Sequence, residues 1–304
     1  MIRSLSGGLA VLALAPATLF GVDAVTLLDG ESRNGRIWGA DREAVILLTQ
    51  PIPGLPAVDV RIPKTRVAAI TFGPDAPREA FLQNSTREHL PELAKLWSRY
   101  APLLTVRGSP TARIGLRYGG LLLEAEAPAR TTEPLVLFER IAQDAPTQEE
   151  QETAKQGILR ALLGDRQWDR AESEAMAIVK TKCGTPLLAE ARLTLGMVQK
   201  NWLQEFIADN PKWAEDEFAR PERDRLHCGA LDNLLGAALL PGVPGALAAR
   251  ARSCALEVFD AAGERPRAAM VAADIVRFHA GTSEAAVARE WLQTNSLPLE
   301  SSSK

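Results

Sequence analysis

The sequence predicts a mainly α protein with a small N-terminal β domain: a five-stranded small barrel followed by an array of α–α hairpins. Three observations predict it. Between Val25 and Gly73, short apolar runs alternate with turn residues. From Pro91 onward the apolar period lengthens to that of helices. Alanine and leucine dominate while aromatics are only 5%, which suits closely crossing helices, because Ala combines the best helix propensity with little bulk.

With 304 residues, 46% of them apolar and 24% charged, the chain can build two cores and falls outside the disordered class. Its net charge is −3 and its bases are spread along the chain, so no electrostatic footprint for nucleic acid is present.

The first segment, "MIRSLSGGLAVLALAPATLFGVDA" over 1–24, reads as a signal peptide. Arg3 precedes an apolar stretch from Leu9 to Phe20, and Val22-Asp23-Ala24 offers small residues where a signal peptidase would cut. That stretch is too short for a membrane span, so the expected location is periplasmic or extracellular, with no transmembrane helix once the signal is removed. Three cysteines remain: Cys183, Cys228 and Cys254, none in a C-x-x-C. An odd number leaves at least one unpaired; whether Cys228 and Cys254 pair is open. Cys254 shares an apolar helical stripe with Leu247, Ala251 and Val258.

The expected β domain spans 25–73. "VTLLDG" is a strand ending in an Asp-Gly turn. "NGRIWGAD" carries Ile37 and Trp38 on a second strand, with Trp38 expected in the core or at the barrel mouth. "EAVILLTQ" is a continuous apolar strand broken by "PIPGLP". "AVDVRIP" places Val58 and Val60 on one face and Asp59 and Arg61 on the other, and "RVAAITFG" closes the series. Residues 74–90 read as a linker.

Helices follow over 91–298, ahead of a disordered tail at 299–304. Leu93, Leu96, Trp97 and Tyr100 share one face. Ser109-Pro110 signals a helix start, and Ile114, Tyr118, Leu121, Leu122 and Ala125 make an apolar stripe. Leu135, Phe138, Ile141 and Ala142 face inward in the next helix. "TQEE" at 147–150 is a capping box in which Glu150 reaches back to the Thr147 amide. Ala154, Ile158, Ala161 and Leu162 follow, with Gly164 ending that helix. Further stripes are Trp168, Ala171, Ala175 and Ile178; Leu188, Ala191, Leu195 and Val198 after Pro186; Leu226, Ala230, Leu234 and Ala237; Leu247, Ala251, Cys254 and Val258; Val271, Ile275 and Phe278; and Val287 with Trp291. Short connections make neighbours antiparallel.

Two resemblances attach to these residues. The pattern of 25–73 resembles an SH3-like or Sm-like barrel. Sm-like barrels often bind RNA, but six Lys/Arg against five Asp/Glu in this segment do not supply the basic surface this needs. "ILRALLGDRQWDRAESEAMAIVK", with Gly164, Trp168 and Ala171, resembles the junction of a tetratricopeptide repeat (TPR). Leu195-Gly196 is similar to the Leu-Gly pair of the next repeat. "RAAMVAADIVRFHAGTSEAAVAREWL" resembles repeats of bacterial cell-envelope TPR proteins, with Ala280 where Pro is usual. The resemblance covers roughly residues 110–294 and implies a TPR-like solenoid whose groove holds a peptide or another chain.

"NPKWAEDEFARPERDR", Asn210–Arg225, concentrates aromatics and charge. With Trp202 and Phe206 upstream, Trp213 and Phe218 read either as an irregular insertion tucked onto the array or as an exposed patch, so Trp202, Phe206, Trp213 and Phe218 are the candidate partner-binding residues. Glu215, Asp216 and Glu217 are consecutive and cannot face one site if helical. His89, His227 and His279 are far apart, and no H-E-x-x-H, G-x-S-x-G, Walker A or G-x-G-x-x-G motif occurs. Glu124 and Glu126 diverge on a helix. No catalytic, cofactor or metal residues are therefore assigned. The expected function is a non-enzymatic exported scaffold or adaptor for a protein or peptide partner. The alternatives are an envelope-polymer hydrolase with a site assembled between helices, and nucleic-acid binding through the barrel.

Overall fold

The computed structural model of the chain describes residues 23–49, 56–73, 79–125 and 132–295. Of the expected signal peptide over 1–24, residues 1–22 lie outside the described residues, as does the expected tail at 299–304. The chain divides into two compact units, one of 1–84 with 106–110 and one of 85–105 with 111–304. As expected, a small N-terminal β region precedes a mainly α chain.

In the first unit, β1 (Asp23–Leu27), β2 (Ser32–Ala40), β3 (Ala44–Thr49), β4 (Val58–Pro63) and β5 (Val67–Thr71) form one antiparallel sheet in the order β4-β3-β2-β1-β5. The sheet is not closed into a barrel: among the described residues, β4 and β5 are its two edges. The long strand β2 is shared, its first half pairing with β1 and its second with β3. Gly35 sits at that division, and a Cβ there would lie 2.6 Å from the Leu48 carbonyl oxygen, so only glycine admits so close a backbone approach. The Asp29-Gly30 turn forms as expected, with Gly30 at φ 87° and the Asp29 carboxylate accepting from the Glu31 amide.

Val25, Leu27, Ile37, Val45, Leu47, Ile62, Val67 and Ile70 make the core of this unit. Trp38 does not join them. It is 71% exposed, because the ladder between β2 and β3 slips between Ile37 and Gly39 and the bulged residue is turned outward. Val58, on edge strand β4, is exposed as well. The segment 74–90 is not purely a connection: from residue 79 it holds α1 (Glu79–Asn84) and a 3₁₀ turn at Arg87–His89.

The second unit contains α2 (Leu90–Tyr100), α3 (Thr111–Glu124), α4 (Thr132–Asp144), α5 (Gln148–Gly164), α6 (Trp168–Val179), α7 (Thr185–Asp209), α8 (Ala219–Ala238), α9 (Gly245–Ala261), α10 (Arg265–Phe278) and α11 (Ser283–Thr294). Each packs on the next. In addition α3 packs on α5, α5 on α7, α7 on α9 and α9 on α11, whereas α4, α6, α8 and α10 do not pack on one another to a comparable extent. One layer is tight and the other splayed. A stack of hairpins built this way bends toward its tight layer.

Contacts between the two layers depend on small residues at the crossings. The Phe138 ring of α4 sits against Gly119 of α3 and Gly157 of α5; a Cβ on either would fall 2.6 or 2.5 Å from it. Gly115 admits Trp97 and Ile141, and Gly196 admits Leu234 in the same way. Toward the end of the array alanine takes over. In α10 the buried residues are Ala268, Ala272 and Ile275, and in α11 they are Ala285, Ala288 and Leu292. The expected inward positions Phe278 and Val287 are exposed.

At the start of α5 the Thr147 hydroxyl accepts from the Glu150 amide at 3.3 Å and donates to the Glu150 carboxylate at 2.7 Å. The carboxylate thus closes on the hydroxyl rather than on the Thr147 amide. Cys183, Cys228 and Cys254 are all free thiols, with Cys254 buried and Cys228 exposed on different helices. No helix among the described residues is long and apolar enough to cross a membrane.

Gly157→Ala is expected to destabilise the protein by about 1–3 kcal/mol through overpacking against Phe138, despite the better helix propensity of Ala. Gly120→Ala, where nothing stands within 4 Å of the new Cβ, is expected to stabilise by about 1 kcal/mol. Urea denaturation of the two variants checks both signs.

Candidate functional site

The packing of α5 on α7 and of α7 on α9 sets these helices side by side, and this places a carboxylate where sequence reading did not look. Glu190 of α7 is 0% exposed. Its Oε2 accepts from Arg160 Nη2 of α5 at 2.6 Å and its Oε1 from Arg250 Nη2 of α9 at 2.9 Å. One buried acid thereby ties together three successive helices of the layer. A lone carboxylate at this depth would be prohibitively costly, and two charge-assisted hydrogen bonds compensate it. Burial works against the Arg160 charge, but the hydrogen bond and negative charge of Glu190 outweigh it and raise the guanidinium above its ordinary range.

The two arginines are only partly covered, and each commits one nitrogen to Glu190. Their remaining N–H donors are therefore available, and the triad carries one net positive charge. Both arginines line a cavity of about 700 Å³ on this layer. Its walls are largely apolar: Leu116 and Leu123 of α3, Pro134 and Phe138 of α4, Leu163 of α5 and Met197 of α7. Glu124, Thr153 and Gln156 add polar groups. Gly120 and Gly164 also line it, and a Cβ at either would meet open space. A second, smaller hollow of about 200 Å³ lies between α4, α5 and α6, lined by Ile158, Leu159, Ile178, Lys155 and Glu174 among others.

An apolar cleft with a few convergent polar groups has the general character of a binding site. Arginine stays protonated at any physiological pH and cannot shuttle protons, so the ionisable groups here are suited to holding an anion. Among the described residues, no three His, Cys, Asp or Glu side chains converge as a metal site.

The four aromatic candidates differ in burial. Trp202 and Phe206 lie on the last turns of α7, where both are half-buried against the helical core. Trp213 lies in the connection, with the Arg223 guanidinium 4.8 Å above its ring. Phe218 alone projects, 92% exposed. The connection runs over 210–218, because α7 ends at Asp209 and α8 starts at Ala219; the remainder of the quoted stretch, 219–225, is the first part of α8. Asp216 serves locally, its carboxylate accepting from the amides of Phe218 and Ala219 as α8 begins.

The histidines play local parts. His89 Nδ1 accepts from the Thr86 amide. The His279 ring lies 2.6 Å from Arg252 Nη1. His227 is buried in α8, edge-on to Phe259. Burial lowers its pKa, Arg223 and Arg267 act in the same direction, and Glu264, 3.3 Å away, and Asp224 oppose them. Burial and then Arg252 likewise lower His279, against Glu284.

Reasoning from sequence missed the Glu190 triad. Its members lie far apart along the chain, and only the stacking of α5, α7 and α9 joins them. The available signal was Glu190 itself, an acid among the apolar residues of "TPLLAEARLTLGMV".

Arg160→Met alone should cost no more than about 1 kcal/mol, since Arg250 still compensates Glu190 and the lost pair is partly exposed. Arg160→Met with Arg250→Met should cost about 3 kcal/mol or more, because the buried carboxylate is left unpaired. Urea denaturation of the singles and the double reads this non-additivity.

The folded chain binds protons on His227 and His279 more weakly than the unfolded chain does. Their contribution to stability is therefore present above about pH 6.5 and is lost as the pH falls through the lowered folded values. Urea midpoints between neutral and mildly acid pH should fall, and His227→Gln should flatten that slope. Compared with known proteins, the chain matches no family model, no curated protein and no solved structure.

Proposed function

We propose that this chain is an exported, non-enzymatic adaptor of TPR-like architecture whose tight helical layer holds an acidic, apolar peptide segment of a partner protein, with the five-stranded β unit as a second contact module. The observation that carries the reading is the cavity walled by Leu116, Leu123, Phe138 and Met197, with the guanidinium groups of Arg160 and Arg250 at its side. Apolar walls favour apolar side chains through burial. Guanidinium groups with spare donors favour carboxylates, which they can grip through paired hydrogen bonds. Fixing both arginines on Glu190 beforehand reduces the ordering cost when a partner binds.

The export signal read at the N-terminus directs the search for that partner to the cell envelope. Phe218, exposed beyond the end of α7, offers a further apolar contact for a chain lying along the array.

The test uses short fluorescein-labelled peptides in which Leu and Val alternate with Asp and Glu, and matched peptides carrying Lys instead, read by fluorescence anisotropy. The acidic set should bind and the basic set should not. Arg160→Ser should weaken acidic binding about tenfold, the value of one lost charge-assisted contact. Gly120→Leu should abolish it by filling the cavity, while its better helix propensity preserves the fold. Equal binding of the two sets, or unchanged binding to Gly120→Leu, overturns the reading.

A further inference from the structure

Asp23 opens β1, and both of its carboxylate oxygens are engaged. Oδ2 accepts from the Ile37 amide at 2.8 Å and Oδ1 from the Gly73 amide at 2.8 Å. The residue is 6% exposed. It therefore ties β1 both to the part of β2 that turns toward β3 and to the chain just beyond β5. Ala24 pairs across with Asn34 and with Thr71, and Val25 is 0% exposed.

Cleavage after Ala24, the bond that Val22-Asp23-Ala24 marks in the sequence, conflicts with this arrangement. It would remove the carboxylate that two amides depend on. It would take Ala24 out of both ladders. It would also set a new ammonium group on a wholly buried residue, and an uncompensated buried charge is among the least tolerable groups in a fold.

We propose that the leader is cut instead at the Ala17–Thr18 bond. Ala15-Pro16-Ala17 presents small residues at the two positions a signal peptidase reads, directly after the apolar run from Leu9 to Leu14. The overlapping Ala13-Leu14-Ala15 triplet would make the scissile bond a tertiary amide to Pro16, with no N–H and a locked φ. In the step itself, water adds across the Ala17–Thr18 amide. Ala17 leaves with the carboxylate and Thr18 keeps the nitrogen as a new α-amino group, with the host's signal peptidase as catalyst. The mature chain then retains residues 18–22 ahead of Asp23. The proposal rests on the export reading above, and its test separates the two.

The full chain, carrying a C-terminal affinity tag, is expressed in a bacterium with an outer membrane, purified from the periplasmic fraction and sequenced from its N-terminus, with intact mass as a check. A mature N-terminus at Thr18 is the expected result. A periplasmic chain starting at any other residue, Val25 above all, overturns the assignment while leaving export intact. A chain kept in the cytoplasm with Met1 in place overturns the export reading and the cleavage with it. As a second measurement, amide exchange is compared between chains starting at Thr18 and at Val25. The shorter chain should exchange faster at Ile37 and Gly73. Equal protection overturns the role assigned to Asp23.

Discussion

The helical unit depends on how closely α5, α7 and α9 approach. α7 is central, packed on α5 at one side and on α9 at the other. Small buried residues stand in these three helices, Ala161 in α5, Ala189 in α7 and Ala251 in α9. The close approach also buries Glu190 completely, and a buried carboxylate must be matched. Arg160 and Arg250 meet that demand from the two flanking helices. Packing and electrostatics therefore constrain one another: if the helices separated, the ion pairs would lengthen, and if the arginines were lost, the carboxylate would resist burial.

The same approach creates the cavity. Tight packing along one layer leaves the side chains that line its open face exposed to a common space, while the splayed layer behind supplies the supporting stripes. Leu116, Leu123, Phe138 and Met197 reach that space from three helices, and the arginines are held at its side by a group that is itself out of solvent. Neither guanidinium can give up a proton, so the pair keeps its charge beside the apolar wall at any physiological pH.

The β unit obeys a different constraint. Its sheet turns at Gly35, where β2 passes from one partner strand to the other, and Asp23 satisfies amides on either side of that turn. A short strand beginning with a buried acid is costly unless the acid has assigned partners, so the start of β1 is as much a structural element as its centre. Trp38, expected inside, is outside for the related reason that the bulge in β2 reverses its face.

Much of the architecture was legible in the sequence. Period-two alternation, the Asp29-Gly30 turn and the change to helical spacing after Pro91 are local signals, written in consecutive residues, and they determined a small β region followed by helices joined through short turns. The ends of the helical array were less legible. Phe278 and Val287 fit a helical stripe as well as Ala272 and Ala288 do, yet the alanines are buried and the larger residues exposed. That the sheet stays open, the outward turn of Trp38 and the differing burial of Trp202, Phe206, Trp213 and Phe218 were likewise decided by tertiary contacts. So was the meeting of Arg160, Glu190 and Arg250. Periodicity reports which side of an element is apolar, but residues distant in sequence become neighbours only when the crossings between helices set their spacing, and that spacing is a property of the packed chain.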